Sequence, residues 1–263
     1  IKEIGCSALY IGPLFESVGH GYETTDYKKL DSRLGTNEDL KNFVGECHKQ
    51  GIRVIFDGVF NHTGDDSVYF NKNERYDTVG AYQSKDSTYY DWYTFKSHPS
   101  DYTSWWGIEI LPRINPSINS CSDFFIGKGG IIEKYAKMGI DGFRLDVADE
   151  LDNRFLDDLR TRVKAENLDA VIYGEVWEDA SNKIAYDQRK QYFLGCELDG
   201  VMNYPLRSGI IDFLKKKGKS KLEYALSEAL KKIDKAIDYF GPELFPCESS
   251  RNNVYGRRNN DGG

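Results

Sequence analysis

A guanidinium and a carboxylate stand two residues apart in the segment Asp141–Glu150, which reads DGFRLDVADE. Apolar and polar residues alternate over positions 143–147, and this period of two predicts a β-strand with its apolar side chains buried. Arg144 and Asp146 then share the opposite face, where the cation favours the ionised form of Asp146. An ionised carboxylate at a strand end is a candidate nucleophile, and a buried structural ion pair is the alternative interpretation.

Two further segments place polar side chains directly after apolar runs. Glu175 follows the run Ala170–Tyr173, and apolar surroundings favour the protonated carboxyl that a proton donor needs. Its alternative interpretation is a cap for a helix that begins near Ser181. The apolar run Ile52–Phe60 predicts a second buried strand, which ends at Asp57. The polar residues at and after that point are Asp57, Asn61 and His62.

The elements that must position these residues alternate between strand and helix patterns. Strands are predicted over 7–11, 52–60, 142–147, 170–174 and 198–202. Helices are predicted over 36–50, 121–137, 152–166, 181–194, 206–217 and 220–239, with Thr36 as an N-cap and Leu40, Phe43, Val44 and Cys47 facing inward on the first of them. Buried strands alternating with helices predict a parallel sheet covered by helices, in a doubly wound layer or a (β/α)8 barrel.

Two observations favour the barrel. A dinucleotide-binding layer should carry G-x-G-x-x-G after a strand, and the sequence has no such motif. The polar residues instead cluster at the carboxyl ends of strands, where barrel enzymes collect their chemistry. Because about five strands can be counted, we predict an incomplete TIM-type barrel. About sixty polar and aromatic residues from Asn61 to Ser120 interrupt the alternation and predict an inserted irregular subdomain.

Composition restricts the partners and the compartment. The 263 residues carry a net charge of −7 with a pI near 5.3, which argues against nucleic acid and anionic membrane as partners. No apolar run approaches the roughly 20 residues that a membrane span needs. Five cysteines lie dispersed without metal-ligand spacing, a usage that favours reduced thiols and hence the cytoplasm. The first residue is Ile1 rather than Met, so we expect the N-terminus to lie upstream.

Several segments occur in an order that resembles a known enzyme family. DGVFNH (Asp57–His62), GFRLD (Gly142–Asp146) and GEVW (Gly174–Trp177) are similar to three of the four signature regions of the α-amylase family, glycoside hydrolase family 13. GHGYETTDY (19–27) resembles the segment after strand 2 of that family, and WWGIEILPRIN (105–115) resembles the link that closes its inserted domain. VADE and GEVWEDASNKI point to the neopullulanase, cyclomaltodextrinase and amylopullulanase branch.

The resemblance implies a domain division and a reaction. Residues 1–62 would hold strands 2 and 3, 63–120 the inserted subdomain B, 121–245 strands 4–6 with their helices, and 246–263 an irregular tail. The implied reaction is hydrolysis of α-1,4 glucosidic bonds of maltodextrins, cyclodextrins, pullulan or starch with retention of configuration, and cleavage of α-1,6 bonds is left open. Asp146 would be the nucleophile and Glu175 the general acid and base.

The resemblance also implies roles for the surrounding residues. His62 would donate hydrogen bonds to hydroxyls of the sugar being cleaved, and that sugar would stack on Tyr22. Asp57 would hold Arg144 and the strand ends as a structural carboxylate. Asn61 matches a position that ligates calcium in many relatives, while no cofactor is required for the chemistry. Trp177 and Glu150 match positions on the acceptor side of the cleft.

One departure from the family pattern leaves alternatives open. The fourth signature region is a His-Asp pair at the end of strand 7, and no His-Asp pair occurs beyond residue 200. Strands 1, 7 and 8 are therefore expected to be absent from this sequence. A third carboxylate of this kind stabilises the transition state, so a glycan-binding chain with impaired catalysis is one alternative to the hydrolase. A glucanotransferase is the other, and chain-length preference and oligomeric state are left open by the sequence.

Overall fold

The computed structural model describes residues 1–215 together with 223, 226 and 227, and apolar runs of this part of the chain form the strands of its main sheet. The strands are β1 (Ala8–Ile11), β2 (Phe15–Ser17), β3 (Thr24–Leu30), β4 (Arg53–Gly58), β5 (Phe95–Ser97), β6 (Asp101–Tyr102), β7 (Gly142–Leu145), β8 (Val171–Gly174), β9 (Ile184–Ala185), β10 (Gln188–Arg189) and β11 (Gly200–Val201). The α-helices are α1 (Asn37–Lys49), α2 (Asn119–Ile126), α3 (Ile131–Ala136), α4 (Asn153–Glu166) and α5 (Tyr204–Leu214). Short 3-10 helices lie at Lys2–Ile4, Tyr90–Trp92, Trp105–Gly107 and Ala148–Glu150.

The main sheet has five parallel strands in the order β1-β4-β7-β8-β11, which confirms the α/β prediction and gives part of a barrel sheet. The described chain falls into two compact units. The first comprises Ile1–Val147 and Arg162–Ile172, and the second comprises Ala148–Thr161 and the chain from Tyr173 onward. Among the described residues, every helix falls short of the length and apolar character that crossing a bilayer requires.

In the first unit, β1 pairs with β4 and β4 pairs with β7, all in parallel. The second register places Asp57 of β4 directly opposite Arg144 of β7. Residue 142 must be glycine, because its φ is +154° and a Cβ there would lie 2.0 Å from the carbonyl oxygen of Val171. The backbone N–H of Val171 donates to the Asp141 carbonyl at 2.9 Å and continues the pairing toward β8.

Helix α1 begins where the sequence predicts. Thr36 caps it and forms a capping box with Asp39, so two backbone N–H groups at the helix start are satisfied. Leu40, Val44 and Cys47 are buried as expected. The inward orientation predicted for Phe43 is wrong, since this residue is 41% exposed. The core beneath the sheet of this unit is aromatic, and the rings of Tyr27 and Phe125 meet edge to face at 4.9 Å.

The predicted inserted segment is irregular, and it lies within the first unit. It contains the short β5–β6 pair and two 3-10 helices, and its end returns to its beginning through a bridge between His62 and Arg113. The structure therefore agrees with the prediction that this segment is irregular. The division into 1–62, 63–120, 121–245 and 246–263 stays a prediction, because the two compact units follow different boundaries.

Three predicted elements differ in the structure. The helix predicted over 121–137 is two helices, because Gly127, Gly129 and Gly130 break it and Gly129 adopts φ +79°. The strand β1 is not buried, since among the described residues it pairs with β4 alone and lies at the sheet edge. The helix predicted over 206–217 starts at Tyr204 with Asn203 as its N-cap and ends at Leu214.

The helix predicted over 181–194 is instead a β-hairpin of β9 and β10 in the second unit. Tyr186 and Asp187 both adopt positive φ, 53° and 61°, which closes a two-residue turn that no helix tolerates. On this hairpin, Ile184 and Tyr186 are 71% and 60% exposed. The helix predicted over 220–239 falls outside the described residues except at positions 223, 226 and 227, and the tail 246–263 falls wholly outside them.

Candidate active site

The centre of the site in the first unit is a buried guanidinium held between two carboxylates. Arg144 Nη1 donates to Asp57 Oδ1 at 2.6 Å and to Asp146 Oδ1 at 2.8 Å. The side chains of Asp57, Arg144 and Asp146 are 0%, 4% and 8% exposed. Burial strengthens these charge-assisted bonds, and the cation favours negative charge on both carboxylates. The contact predicted between Arg144 and Asp146 is therefore present.

The backbone turns sharply directly after Asp146. Its N–H donates to the Gly58 carbonyl at 3.1 Å, which extends the pairing of β7 with β4 past the last strand residue. Val147 then adopts φ +40°, a conformation that a β-branched residue rarely accepts. Such an outlier persists only where the surroundings impose it, and such outliers concentrate at functional sites. The carboxylate of Asp146 is thus presented from a fixed, strained strand end.

Two tyrosine hydroxyls donate hydrogen bonds to the other carboxylate oxygen of Asp57. Tyr10 donates to Asp57 Oδ2 at 2.6 Å, and Tyr22 donates to the same atom at 3.3 Å. Burial raises the pKa of Asp57, while the Arg144 guanidinium opposes that shift. Burial also raises the pKa of Tyr22 and the pKa of Tyr10, so both phenols keep their protons and act as donors. Asp57 is therefore the point where the β4 end, the β7 end and the Tyr22 loop meet.

His62 joins the Tyr22 loop to the end of the β4 segment. It is 2% exposed, and its Nε2 lies 3.1 Å from the Tyr22 carbonyl oxygen, so this nitrogen carries the hydrogen. Nδ1 lies 3.4 Å from Asn61 Nδ2 and accepts from that amide. Burial lowers the pKa of His62 to about 4, which keeps the imidazole neutral near pH 7. Its ring packs against Trp105 with 5.8 Å between centroids.

The predicted calcium ligand Asn61 is 1% exposed, with its amide nitrogen directed at His62. Over residues 1–215 and the three further described positions, no group of three or more His, Cys, Asp or Glu side chains could hold a metal ion. Calcium prefers six to eight oxygen ligands rich in carboxylates. Calcium also binds amide and backbone carbonyl oxygens, so calcium at Asn61 stays a prediction.

The second unit carries the other predicted acid. Glu175 follows β8 and is half-buried, and its Oε1 lies 3.5 Å from the hydroxyl of Tyr204 at the start of α5. The Glu175 carbonyl accepts from the Ala148 N–H at 3.2 Å, which ties it to the short helix that contains Glu150. Glu150 is half-buried and Trp177 is 44% exposed.

Lys183 holds the segment that follows Glu175 in place through two ion pairs. Lys183 forms ion pairs with Glu178 and with Asp149, and Asp149 also accepts from the Tyr192 hydroxyl at 2.7 Å. Burial opposes the charge of Lys183, but these bonds to carboxylates raise its pKa overall. The ion pairs fix residues 178–183 on the same side of the unit as the short helix 148–150.

Residues 1–117 match the Alpha-amylase family, described as Alpha amylase, catalytic domain. The chain is 38% identical over 234 residues to the amylopullulanase of Thermoanaerobacterium thermosulfurigenes, covering 81% of this chain and 12% of that protein. It is 35% identical over 232 residues to the cyclomaltodextrinase of Thermoanaerobacter pseudethanolicus, covering 82% of this chain and 36% of that protein. The chain is therefore similar to the α-amylase family. It spans between about a tenth and about a third of the length of these curated relatives.

A solved structure is similar to most of this chain. The cyclic α-maltosyl-(1→6)-maltose hydrolase of Arthrobacter globiformis, in complex with maltose, superimposes with a TM-score of 0.76 at 29% identity. The superposition covers 87% of this chain and 50% of that one. The predicted TIM-barrel class and the predicted branch of relatives are confirmed.

Sequence reasoning missed three side chains that the structure brings into contact with acidic residues. Tyr10 lies in an apolar run that reads as an ordinary buried strand, and Tyr204 follows an Asn that reads as a turn. His48 of α1 contacts Asp141 at 2.7 Å, and Asp141 also accepts from the Val54 N–H at 2.8 Å. Only the β1–β4–β7 register places the Tyr10 hydroxyl at Asp57, and no local pattern gives that register.

Proposed function

We propose that the chain is the catalytic part of a retaining glycoside hydrolase that cleaves α-1,4 and also α-1,6 glucosidic bonds. Its substrates are maltodextrins, cyclodextrins, pullulan or starch. The observation that carries the proposal is the buried bridge from Asp57 through Arg144 to Asp146, in a chain similar to an amylopullulanase and a cyclomaltodextrinase. A carboxylate that a cation keeps ionised at a strand end suits nucleophilic attack on a sugar carbon.

The proposed reaction has two displacements. Asp146 attacks the anomeric carbon, and the bond from that carbon to the glycosidic oxygen breaks as Glu175 gives its proton to the departing oxygen. A glucosyl ester of Asp146 forms. Glu175, now ionised, takes a proton from water, whose oxygen attacks the same carbon and releases Asp146. Each displacement inverts the configuration at the anomeric carbon. Because there are two displacements, the product keeps the α configuration.

The other residues position the sugar. The Tyr22 ring would stack on the apolar face of the glucose unit, and its hydroxyl is held at Asp57. His62 would fix the Tyr22 loop through the carbonyl of Tyr22, and it would be available to sugar hydroxyls in the bound state. Glu150 and Trp177 would line the acceptor side. Asp57 and Asn61 would act as structural groups.

Turnover of maltotriose and of a chromogenic maltoside tests this proposal. Asp146→Asn and Glu175→Gln are each expected to lower kcat/KM by on the order of a thousandfold or more. Asp123→Asn, which removes an exposed carboxylate of α2, is the matched control and should turn over both substrates like the wild type. Products longer than the substrate would identify a glucanotransferase. Equal, negligible turnover by all four proteins, with intact maltotriose binding, would contradict the hydrolase proposal in favour of a glycan binder.

A further inference from the structure

Three aromatic rings form a row that leads from the candidate site in the first unit to the surface. The His62 ring packs on Trp105 at 5.8 Å and 33°, and Trp105 stacks on Trp106 at 5.4 Å and 19°. Exposure rises along this row. His62 is 2% exposed, Trp105 is half-buried and Trp106 is 66% exposed. One face of the Trp106 indole therefore packs on protein, while most of the rest of the side chain is open to solvent.

The backbone holds Trp106 in a conformation that bulky residues avoid. Its φ is +50° and its ψ is +29°, in the left-handed region. The surrounding turn is closed by bonds of 2.9 Å from the Trp105 N–H to the Leu111 carbonyl, from the Ile108 N–H to the Trp105 carbonyl, and from the Leu111 N–H to the Ile108 carbonyl. Bridges between His62 and Arg113 and between Ser104 and Pro112 fix its base. Strained residues concentrate at ligand-binding and active sites, so this one points to a function in binding.

We propose that Trp106 is the stacking platform of an outer glucan subsite, one or more glucose units away from the unit that is cleaved. This inference rests on the proposed function and adds to it the residue that sets the preference for longer chains. A glucose ring has an apolar face of C–H groups that packs on an indole, and its hydroxyls stay in water. The stacked rings keep that platform in a fixed position relative to His62, so a bound glucan could occupy both places together.

The dimensions of the patch favour a sugar over a protein partner. The exposed apolar side chains on this turn are Trp106, Ile108 and Ile110, at 66%, 41% and 49% exposure. Three side chains are far fewer than the 20 to 30 residues that each partner contributes to a typical protein interface. One flat ring on a rigid turn, next to the exposed carboxylate of Glu109, suits an occupant the size of a pyranose.

Calorimetric titration of the Asp146→Asn variant with maltotriose and with maltoheptaose tests the inference, because binding is then measured without turnover. Adding Trp106→Ala should lower the ratio of maltoheptaose affinity to maltotriose affinity about five- to tenfold, the value of one aromatic contact. Trp106→Tyr should restore most of that ratio. Ile110→Ala, which removes another exposed apolar side chain from the same turn, is the control and should leave the ratio unchanged.

The possible outcomes separate this inference from the proposed function. If maltoheptaose binds the parent and the Trp106→Ala variant with the same affinity, the subsite is wrong and the hydrolase proposal stands. If both affinities fall equally in Trp106→Ala while Trp106→Tyr does not recover, the role is structural and the subsite is also wrong. If no α-glucan binds any variant, both proposals fail. A halved mass of Trp106→Ala in sedimentation, with unchanged affinity ratio, would assign the patch to contact between copies.

Discussion

At the scale of the residue, Arg144 holds the candidate site together. One buried nitrogen bonds to two carboxylates, and two tyrosines complete the shell around Asp57. The desolvation of three charged groups is offset only while all of them are present, since loss of one leaves an uncompensated buried charge. The sequence could predict the Arg144–Asp146 contact because both lie on one strand. It could not predict Tyr10, because that contact depends on the pairing of three separate strands.

Replacement of Arg144 by Ala should therefore destabilise the fold as well as abolish turnover. We expect the free energy of unfolding to fall by roughly 3–5 kcal/mol, the usual cost of breaking a buried ion pair from one side. Urea denaturation at pH 7 measures it. Arg154→Ala is the control, because that arginine is 79% exposed and its removal should change stability by less than about 0.5 kcal/mol. Equal stability of both variants would show that the buried bridge contributes little.

His62 predicts a pH dependence of stability. Burial lowers its pKa in the folded state to about 4, whereas an unfolded histidine titrates near 6.5. The contribution of His62 to the free energy of unfolding is therefore fully present above pH 6.5. It is lost as the pH falls toward 4, and the total loss is about 3 kcal/mol. Urea denaturation between pH 4 and pH 7.5 should show this slope in the wild type and a shallower one in His62→Gln. Parallel curves for the two proteins would place the titration elsewhere.

At the scale of the element, strand ends and glycine positions decide what is brought together. Period-two and apolar runs sufficed to predict β4, β7 and β8 to within about two residues, because buried parallel strands leave a continuous signal. The β9–β10 hairpin was missed because its turn uses Tyr186 and Asp187 at positive φ, without the Asn-Gly or Gly residues that usually mark such turns. Three glycines mark the break between α2 and α3 in the sequence, and this signal is stronger than the apolar periodicity that predicts a single helix.

Gly142 offers a test of how β7 is placed. A side chain there meets the Val171 carbonyl at 2.0 Å and requires φ +154°, so Gly142→Ala should push the two segments apart. We expect a loss of roughly 3 kcal/mol in the free energy of unfolding, together with loss of turnover. The matched control is Gly45→Ala in α1, where a Cβ meets nothing within 4 Å and alanine should stabilise the helix by about 0.5–1 kcal/mol. A harmless Gly142→Ala substitution would contradict the close approach.

In the second unit, a buried acid gives a pH dependence of opposite sign. Glu197 is 1% exposed, its Oε2 accepts from the Gln191 N–H at 3.1 Å, and its Oε1 has no hydrogen-bond partner among the described residues. Burial raises the pKa of Glu197 to about 7, to which Asp157 adds while Lys190 opposes it. Because the unfolded carboxyl titrates near 4.3, stability is lost as the pH rises from that value through 7.

Glu197→Gln stays neutral and should therefore be more stable than the wild type above pH 7, by roughly 2 kcal/mol. Thermal denaturation at pH 5 and pH 8 measures the difference, which should be small at the lower pH. Asp158→Asn, at a carboxylate that is 51% exposed, should show no such gain. A wild type that is as stable as Glu197→Gln at pH 8 would mean that water or a counter-ion satisfies the buried acid.

At the scale of the whole molecule, the class of fold and the family followed from the order of the strand-end motifs. Each motif alone has an ordinary structural interpretation, but three of them at successive strand ends resemble one family, to which the chain is also similar in the comparisons. The boundaries of the compact units could not be predicted from these motifs, because packing between distant segments decides them. Boundaries between the units fall inside β8 and α4.

Covalent trapping tests the central claim most directly. A 5-fluoro-α-glucosyl fluoride reacts through the first displacement, with loss of fluoride, and its glucosyl ester hydrolyses slowly because the ring fluorine destabilises the second transition state. Incubation with the chain, followed by mass spectrometry of the intact protein and of its peptides, should show one fluoroglucosyl group on the peptide that contains Asp146 and none on Asp146→Asn. A label on any other carboxylate, or efficient turnover of maltotriose with no label at all, would contradict the nucleophile assigned to Asp146.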